Sequence, residues 1–396
     1  MSKPLRIGVA GLGAASRQIL PHVARLPGLE LSGGADIRSD ALADFEARYR
    51  RKGFPSVEAM CASGEVDAVW IATPNACHAE HTVTAARHGK HVIVEKPMAV
   101  SLDEAEQMIA AAERNGVKLV QGHSKIYSPA IQQIRAIVHS GRLGRVIQIN
   151  TWNFNDWLQR PRLASEIDTK LGGGVCFRQG PHQVDIVRYI GGGLVRSVRA
   201  ATGRADANFA TEGDYTAFLE FEGGARATLA FNGYGFFDIA ELTWGIGEGG
   251  KRMRETDRAG KRRLAGPVDP HIKYSNPRTT EEQAVRERAD QSFFGLTIVA
   301  CERGVIRQSP SGLYVYTQAG REEIACCLDE GRSAELFELQ QAIAQDRPAF
   351  PDGRWGKATL EVCIAMLQSS QQRREVALTH QIATTDRHEA YEAQYG

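Results

Sequence analysis

The chain has 396 residues, 42% hydrophobic and 24% charged, a composition that excludes disordered and fibrous classes and a length that exceeds one core of ~250 to 300 residues. Forty-eight basic residues against forty-seven acidic ones leave a formal charge of +1, so no global field draws the chain to nucleic acid or an anionic membrane, and any anion site must be local. The seven cysteines are scattered and never spaced C-x-x-C, which argues against a disulfide framework and a cysteine-rich zinc site; no metal is expected.

Residues 1–125 alternate strand-like and helix-like segments with short connections, the pattern of a doubly wound parallel sheet. Met1–Arg6 runs directly into the apolar stretch Ile7–Ala10, and no apolar run approaches the ~20 residues that span a bilayer, so a cytoplasmic protein is expected. Strands are predicted at Leu5–Ala10, Leu29–Asp36, Asp67–Thr73, His91–Glu95 and Val117–Gln121. The first leads into Gly11-Leu12-Gly13-Ala14-Ala15-Ser16, one glycine short of G-x-G-x-x-G. Gly11 and Gly13, followed by Ala14 and Ala15, permit a tight turn and close approach of a pyrophosphate to a helix N-terminus; the Ser16 hydroxyl is a candidate phosphate donor. Pro21 lies inside the presumed first helix and predicts a kink or an early turn.

Asp36 closes the second strand, where a carboxylate accepts hydrogen bonds from ribose hydroxyls and repels a 2'-phosphate, favouring NAD over NADP. Arg38 pulls towards NADP. The third strand runs into Thr73-Pro74-Asn75 and His78, and the fourth ends in Glu95-Lys96-Pro97. Both loops therefore lie at the carboxyl rim of a parallel sheet, where such sheets bind ligands. A capping box of Ser101 and Glu104, followed by Leu102, Ala105, Met108, Ile109 and Ala112, predicts a helix that Asn115-Gly116 stops.

Residues 126–396 are read as a second, α+β domain. A linking helix near Pro129–His139 precedes strands typical of an antiparallel sheet. Phe218–Phe221 and Ala227–Phe231 flank Gly223-Gly224 like a hairpin, and further strands are predicted at Glu241–Gly245, Leu296–Ala300 and Leu313–Thr317. Seven lysines or arginines fall between Lys251 and Arg263. Glu255 and Asp257 interrupt them and no aromatics intervene, which points to a solvated loop or lid rather than a nucleic-acid patch. Helices Ala334–Gln345 and Ala358–Arg373 close the reading.

The glycine turn, the T-P-N loop, the E-K-P segment, Gly172-Gly173-Gly174 and Gly180-x-His182-x-x-Asp185 occur in that order. Together they resemble the family of glucose-fructose oxidoreductases, inositol dehydrogenases and rhizopine-catabolism proteins (Gfo/Idh/MocA), over almost the whole chain. The resemblance implies an α/β Rossmann domain followed by an α+β domain with a large, mostly antiparallel open sheet. That sheet's exposed face commonly supports oligomers, so a homo-oligomer, dimer or tetramer, is expected. It also implies that NAD, with NADP as the alternative, contacts the glycine turn, Asp36, Arg38, Thr73, Pro74, Asn75, His78, Glu95 and Lys96.

In the family's polyol dehydrogenases the lysine of E-K-P works with a histidine and with an aspartate four residues before it. Carried over, these are Lys96 and His182, whereas the aspartate position is Arg178. Hydride leaves carbon only as the hydroxyl proton departs, so His182 is expected to act as base and Lys96 to stabilise the alkoxide. Gln179 or Asp185 is left to take over the aspartate's orienting role, Asp185 otherwise serving to stabilise its helix near the dipole's N-terminal end.

The stretch Trp152 to Arg162 places Trp157 before two arginines, Arg160 and Arg162, that flank Pro161. With Arg178 these describe a flat, acidic ligand, because an arginine fork binds carboxylate and an aromatic face suits a ring. Asp156–Arg162, Gly172–Arg188 and Ala240–Gly245 resemble the phthalate dihydrodiol dehydrogenase branch. That implies oxidation of an anionic cyclic diol, such as 4,5-dihydroxy-4,5-dihydrophthalate, to a catechol. The alternative pairing has the arginines bound to Glu166, Asp168 or a neighbouring subunit, with Trp152 and Trp157 in the core. Rival functions are a dehydrogenase of neutral sugars or inositols, a nucleotide-sensing regulator without turnover, and an NAD-retaining hydrolase.

Overall fold

A computed structural model describes residues 3–23, 26–122, 124–253, 267–269, 290–328 and 332–385. The first sheet has six parallel strands: β1 (Leu5–Ala10), β2 (Leu29–Ala35), β3 (Lys52–Phe54), β4 (Ala68–Ile71), β5 (His91–Glu95) and β6 (Leu119–Gly122). Their order, β3-β2-β1-β4-β5-β6, reverses direction between β1 and β4, which opens a crevice at the carboxyl ends of the strands. β4 is buried throughout and β5 in all but its first residue, as expected of strands covered on both faces. β1 and β5 have the predicted bounds, while β2 ends one residue before Asp36. The short β3 carries too few residues to show an alternation.

The helix Leu102–Arg114 starts as predicted, with Ser101 Oγ accepting from Glu104 N at 3.2 Å. The Glu104 carboxylate reaches one residue beyond the cap, accepting from Val100 N at 3.0 Å. Pro21 lies within the helix Ser16–Val23, not in a turn; it forfeits one backbone bond, and two residues later the helix ends.

The second sheet has nine strands: β7 (Val146–Phe154), β8 (Val195–Gly203), β9 (Asp214–Phe221), β10 (Arg226–Asn232), β11 (Leu296–Cys301), β12 (Gly304–Gln308), β13 (Gly312–Thr317), β14 (Gly320–Ala325) and β15 (Val376–Ala377). Among the described residues they run in the order β14-β13-β12-β11-β7-β10-β9-β8-β15, with only β7 and β10 paired in parallel. β9 and β10 form the expected hairpin, with Phe221 N bonded to Ala225 O at 2.9 Å.

Glu241–Gly245 is not a strand. Asp238 caps a 3₁₀ turn over Ile239–Leu242, and Gly245 N closes on Ala240 O at 2.7 Å, so local bonds replace a ladder. Of the basic run, only Lys251 to Met253 is described, and the rest lies outside the described residues.

One face of the second sheet packs on the helices Pro129–His139, Gly180–Gly191 and Gly353–Gln372. Ile134, Val187, Leu219, Leu229 and Val362 are buried at this junction. The chain then returns to the first sheet, where Leu336, Leu339 and Ala342 of the helix Ser333–Ala344 join Ile7, Val9 and Trp70 in one core. Among the described residues no helix is long and apolar enough to cross a membrane.

Candidate active site

A cleft of about 670 Å³ runs along the carboxyl rim of the first sheet to the second domain. Its outer end is the glycine turn. Gly11 has φ +88, and a Cβ there would stand 2.6 Å from Ala72 O, so only glycine lets β1 turn this close to β4. Gly13, Ala14 and Ala15 line the cleft where the helix Ser16–Val23 begins, presenting backbone N–H groups suited to a pyrophosphate. Ser16 does not face it. Its side chain is buried and Oγ donates to Gly13 O at 2.8 Å, so the hydroxyl holds the turn instead of a phosphate.

Asp36 accepts from Leu12 N at 2.8 Å and from Arg38 N and Nε at 2.9 and 3.2 Å. Arg38 is thus held as an ion pair beside the carboxylate it was expected to oppose. These features fit a dinucleotide: the turn admits close backbone approach, and the Asp36 carboxylate borders the same cleft as a hydrogen-bond acceptor. Among the described residues no cluster of side chains could hold a metal ion.

The T-P-N and E-K-P loops are spliced by His78, which is fully buried between Pro97 O (2.8 Å) and Thr73 O (2.9 Å). Burial pushes its pKa down, and a neutral ring donates to only one of them. Asn75 donates to Gly172 O at 2.7 Å and so ties the rim to the G-G-G segment. That segment is packing-limited: at Gly173 a Cβ would stand 2.6 Å from Asp168 N and O, and at Gly174 it would collide with Thr211 and Glu212. Glu95 is buried, accepts from Trp70 Nε1 at 3.3 Å and pairs with Arg332 at 2.8 Å.

Lys96 extends from the end of β5 and donates to Arg178 O at 2.8 Å. Gln179 Nε2 donates to the same carbonyl at 3.0 Å. A main-chain oxygen therefore holds the lysine at the position where polyol dehydrogenases carry aspartate. Burial, reinforced by the Arg178 charge, lowers Lys96 to about 7. His182, on the first turn of the helix Gly180–Gly191, is 9% exposed and lies against Phe294 with ring centroids 4.6 Å apart. Lys96, Gln179 and His182 all line the inner end of the cleft.

The arginines are already engaged. Arg178 donates to Glu166 at 2.9 Å and to Asn75 Oδ1 at 3.4 Å, and Arg160 to Asp156 at 2.8 Å. Arg162 donates to Trp157 O at 3.1 Å, lies 4.2 Å over the Trp157 ring and stands 4.0 Å from Glu166. Trp157 is 1% exposed, so it stacks on a guanidinium and is not an open platform for a ring; Trp152 is 39% exposed and is not core. The pairing with Glu166, set out above as the alternative, is the one seen for Arg178. All three guanidiniums nonetheless border the cleft.

Asp185 is fully buried and accepts from Trp355 Nε1 and from Thr359 Oγ1 (3.2 Å). It anchors the helix Gly353–Gln372 and neither borders the cleft nor stabilises its own helix from the surface. Lys125, Phe294, Glu248 and Arg332 also border the cleft, and sequence reading does not single them out, whereas it names Glu166 as a partner for the arginines. Lys125 follows β6 at the same carboxyl rim as Lys96, a signal that sequence reading had available.

A family model described as an oxidoreductase family with an NAD-binding Rossmann fold (GFO_IDH_MocA) matches residues 5–123, and the GFO/IDH/MocA C-terminal domain matches residues 131–235. A Comamonas testosteroni protein, 1-carboxy-3-chloro-3,4-dihydroxycyclohexa-1,5-diene dehydrogenase, is 33% identical over 377 residues, 93% of this chain and 95% of its own. The crystal structure of a Bordetella bronchiseptica RB50 protein described as a dehydrogenase superposes with a TM-score of 0.83 at 36% identity, covering 95% of this chain and all of the other. A Bordetella pertussis dehydrogenase solved with NADH shares the fold at 20% identity, with a TM-score of 0.72 and coverage of 96% and 99%.

Proposed function

Because the chain belongs to the Gfo/Idh/MocA oxidoreductases and is an NAD(P)-dependent dehydrogenase of hydroxyl groups, we propose that its substrate is a ring-carboxylated cyclohexadiene cis-diol, oxidised to a catechol. The observation that carries this reading is the wall of the cleft: Lys125, Arg160, Arg162, Arg178 and Arg332 line it with Lys96 and His182 and outnumber the carboxylates Glu95, Glu166 and Glu248 there. Such a wall favours an acid over a neutral polyol. The activity of the Comamonas relative, whose substrate is a carboxylated dihydroxycyclohexadiene, supports it.

Bound nicotinamide supplies the hydride acceptor. His182 takes the hydroxyl proton, and Lys96, held by Arg178 O, donates a hydrogen bond to the oxygen as it becomes a carbonyl. The ketone then tautomerises, and the aromaticity gained draws the reaction forward. Gln179 steadies the carbonyl that steadies Lys96. A second assignment follows from the lowered lysine: at about 7, Lys96 is partly neutral at neutral pH and is itself able to take the proton. The two differ in sign. A charged Lys96 gives a kcat/KM that falls above pH 7, and a proton-accepting Lys96 gives one that rises through it.

The exposed face of the second sheet, with Trp152 and Phe218 among its large apolar side chains, is assigned to homo-oligomer contact. The reading is tested by NADH formation from 4,5-dihydroxy-4,5-dihydrophthalate and from the uncharged cis-dihydrodiol of benzene. We expect a preference for the acid of at least tenfold in kcat/KM, with NADH released in step with product. Equal use of both diols turns the substrate assignment to neutral diols, and NADH released in step with catechol excludes a retained-cofactor hydrolase, whereas no NADH from either diol overturns the diol reading.

A further inference from the structure

Among the described residues seven lysines and arginines border the cleft, and six have polar partners. Arg38 is paired with Asp36, Arg160 with Asp156, Arg178 with Glu166 and Arg332 with Glu95. Arg162 is bonded to Trp157 O beside Glu166, and Lys96 to Arg178 O. Lys125 differs. Its ammonium lies 5.9 Å from the centroid of the Phe294 ring, and among the described residues no carboxylate or carbonyl accepts from it. An ammonium against an aromatic face is held weakly, by about 0.5–1 kcal/mol, and its three N–H donors stay available.

The placement gives that donor a use. Phe294 is buried, and the same ring carries His182 at 4.6 Å, so one aromatic surface has the proposed base on one part and a cation without a polar partner on another. His182 and Lys125 border the same cleft, so a six-membered ring held there with its hydroxyl at His182 would direct a substituent towards Lys125. The paired arginines set a positive field, but Arg178 and Arg160 already share their charge with Glu166 and Asp156, so a ligand carboxylate there would meet a partly neutralised cation.

Building on the anionic-diol reading, we propose that Lys125 is the residue that receives the substrate's carboxylate and sets the choice of acidic over neutral diols. The carboxylate would replace the aromatic face as the ammonium's partner, with no hydrogen bond of the lysine lost.

The experiment measures kcat/KM for the dicarboxylate diol and for the benzene diol in wild type, Lys125→Met, Lys125→Arg and Arg178→Met, with phthalate as a dead-end inhibitor in the presence of NADH. In Lys125→Met the acid-to-neutral ratio should fall about 10- to 100-fold, mainly through KM, as expected for a hydrogen bond between charged groups, and phthalate inhibition should weaken to a similar extent. Lys125→Arg should keep most of the ratio, which a merely structural lysine would not require. If wild type prefers the acid and Lys125→Met keeps that preference, the lysine assignment is wrong while the substrate class stands. Loss of the ratio in Arg178→Met alone would hand the role to the arginine. If wild type shows no preference at all, the substrate class and the lysine assignment fall together.

Discussion

Lys96→Met is expected to remove most of the activity and at the same time to shift stability towards the variant at low pH. Burial, with the Arg178 charge behind it, lowers Lys96 from 10.5 to about 7. Below pH 7 the ammonium is charged in both the folded and the unfolded chain, so the folded protein bears the whole cost of holding it in the cleft. Between about 7 and 10.5 the unfolded chain binds a proton that the folded chain does not, and wild-type stability therefore rises with pH. An interval that wide corresponds to at most ~5 kcal/mol at 1.36 kcal/mol per pH unit. Water in the open cleft screens the charge, which reduces the expected swing to about 1–2 kcal/mol. Methionine keeps the length of the chain but loses the bond to Arg178 O, a pH-independent loss of ~1 kcal/mol. Urea unfolding of both proteins at intervals from pH 6 to pH 10 reads the difference directly. The variant should gain relative to wild type at pH 6 and fall behind by pH 10. A difference that stays constant across that range would refute the buried-charge argument.

His182→Ala should lower kcat by ~10² to 10⁴ while leaving NADH affinity, read by fluorescence titration, nearly unchanged; near-normal turnover would remove His182 from the reaction. Asp36→Ala frees Arg38 from its ion pair and should move the NADP-to-NAD ratio of kcat/KM at least tenfold towards NADP, and an unchanged ratio would place ribose recognition elsewhere. Gly174→Ala forces a side chain at φ +81 into Thr211 and Glu212, and should destabilise the protein by about 2–4 kcal/mol, seen as a lower urea midpoint. A wild-type midpoint would mean that this turn can relax.

The parts of the molecule governed by local chemistry were legible in its sequence. β1, β5 and the helices at Leu102 and Pro129 follow from apolar periodicity and capping residues that act within a few positions. Glu241–Gly245 misled because its aromatic and β-branched content mimics a strand, whereas Asp238 and the positive φ of Trp244 fix a turn. Lys96, Gln179 and His182 could be brought together from motifs alone. For Arg178 the sequence offered Glu166 as one of several alternatives but not Asn75, which reaches it across a sequence separation of 103. Nor did it show the fate of Asp185, whose partners Trp355 and Thr359 lie at sequence separations of 170 and 174. Spacing reports which face a residue occupies, and the distance along the chain hides what meets it there.

The pairing of Arg332 with Glu95 has a consequence for how the protein is made. Glu95 terminates the strand that carries Lys96, and its cation arrives from far down the chain, followed by Leu336, Leu339 and Ala342, which cap the core around Ile7 and Trp70. A ribosome that has released the first sheet has thus released an unfinished layer, with a buried carboxylate still waiting for its counter-charge. The sheet closes only after residues 332–344 have emerged, when most of the second sheet is already out. Chimaeras between relatives should therefore move residues 332–344 together with the N-terminal strands, because a junction placed between the two sheets would separate the two halves of one core.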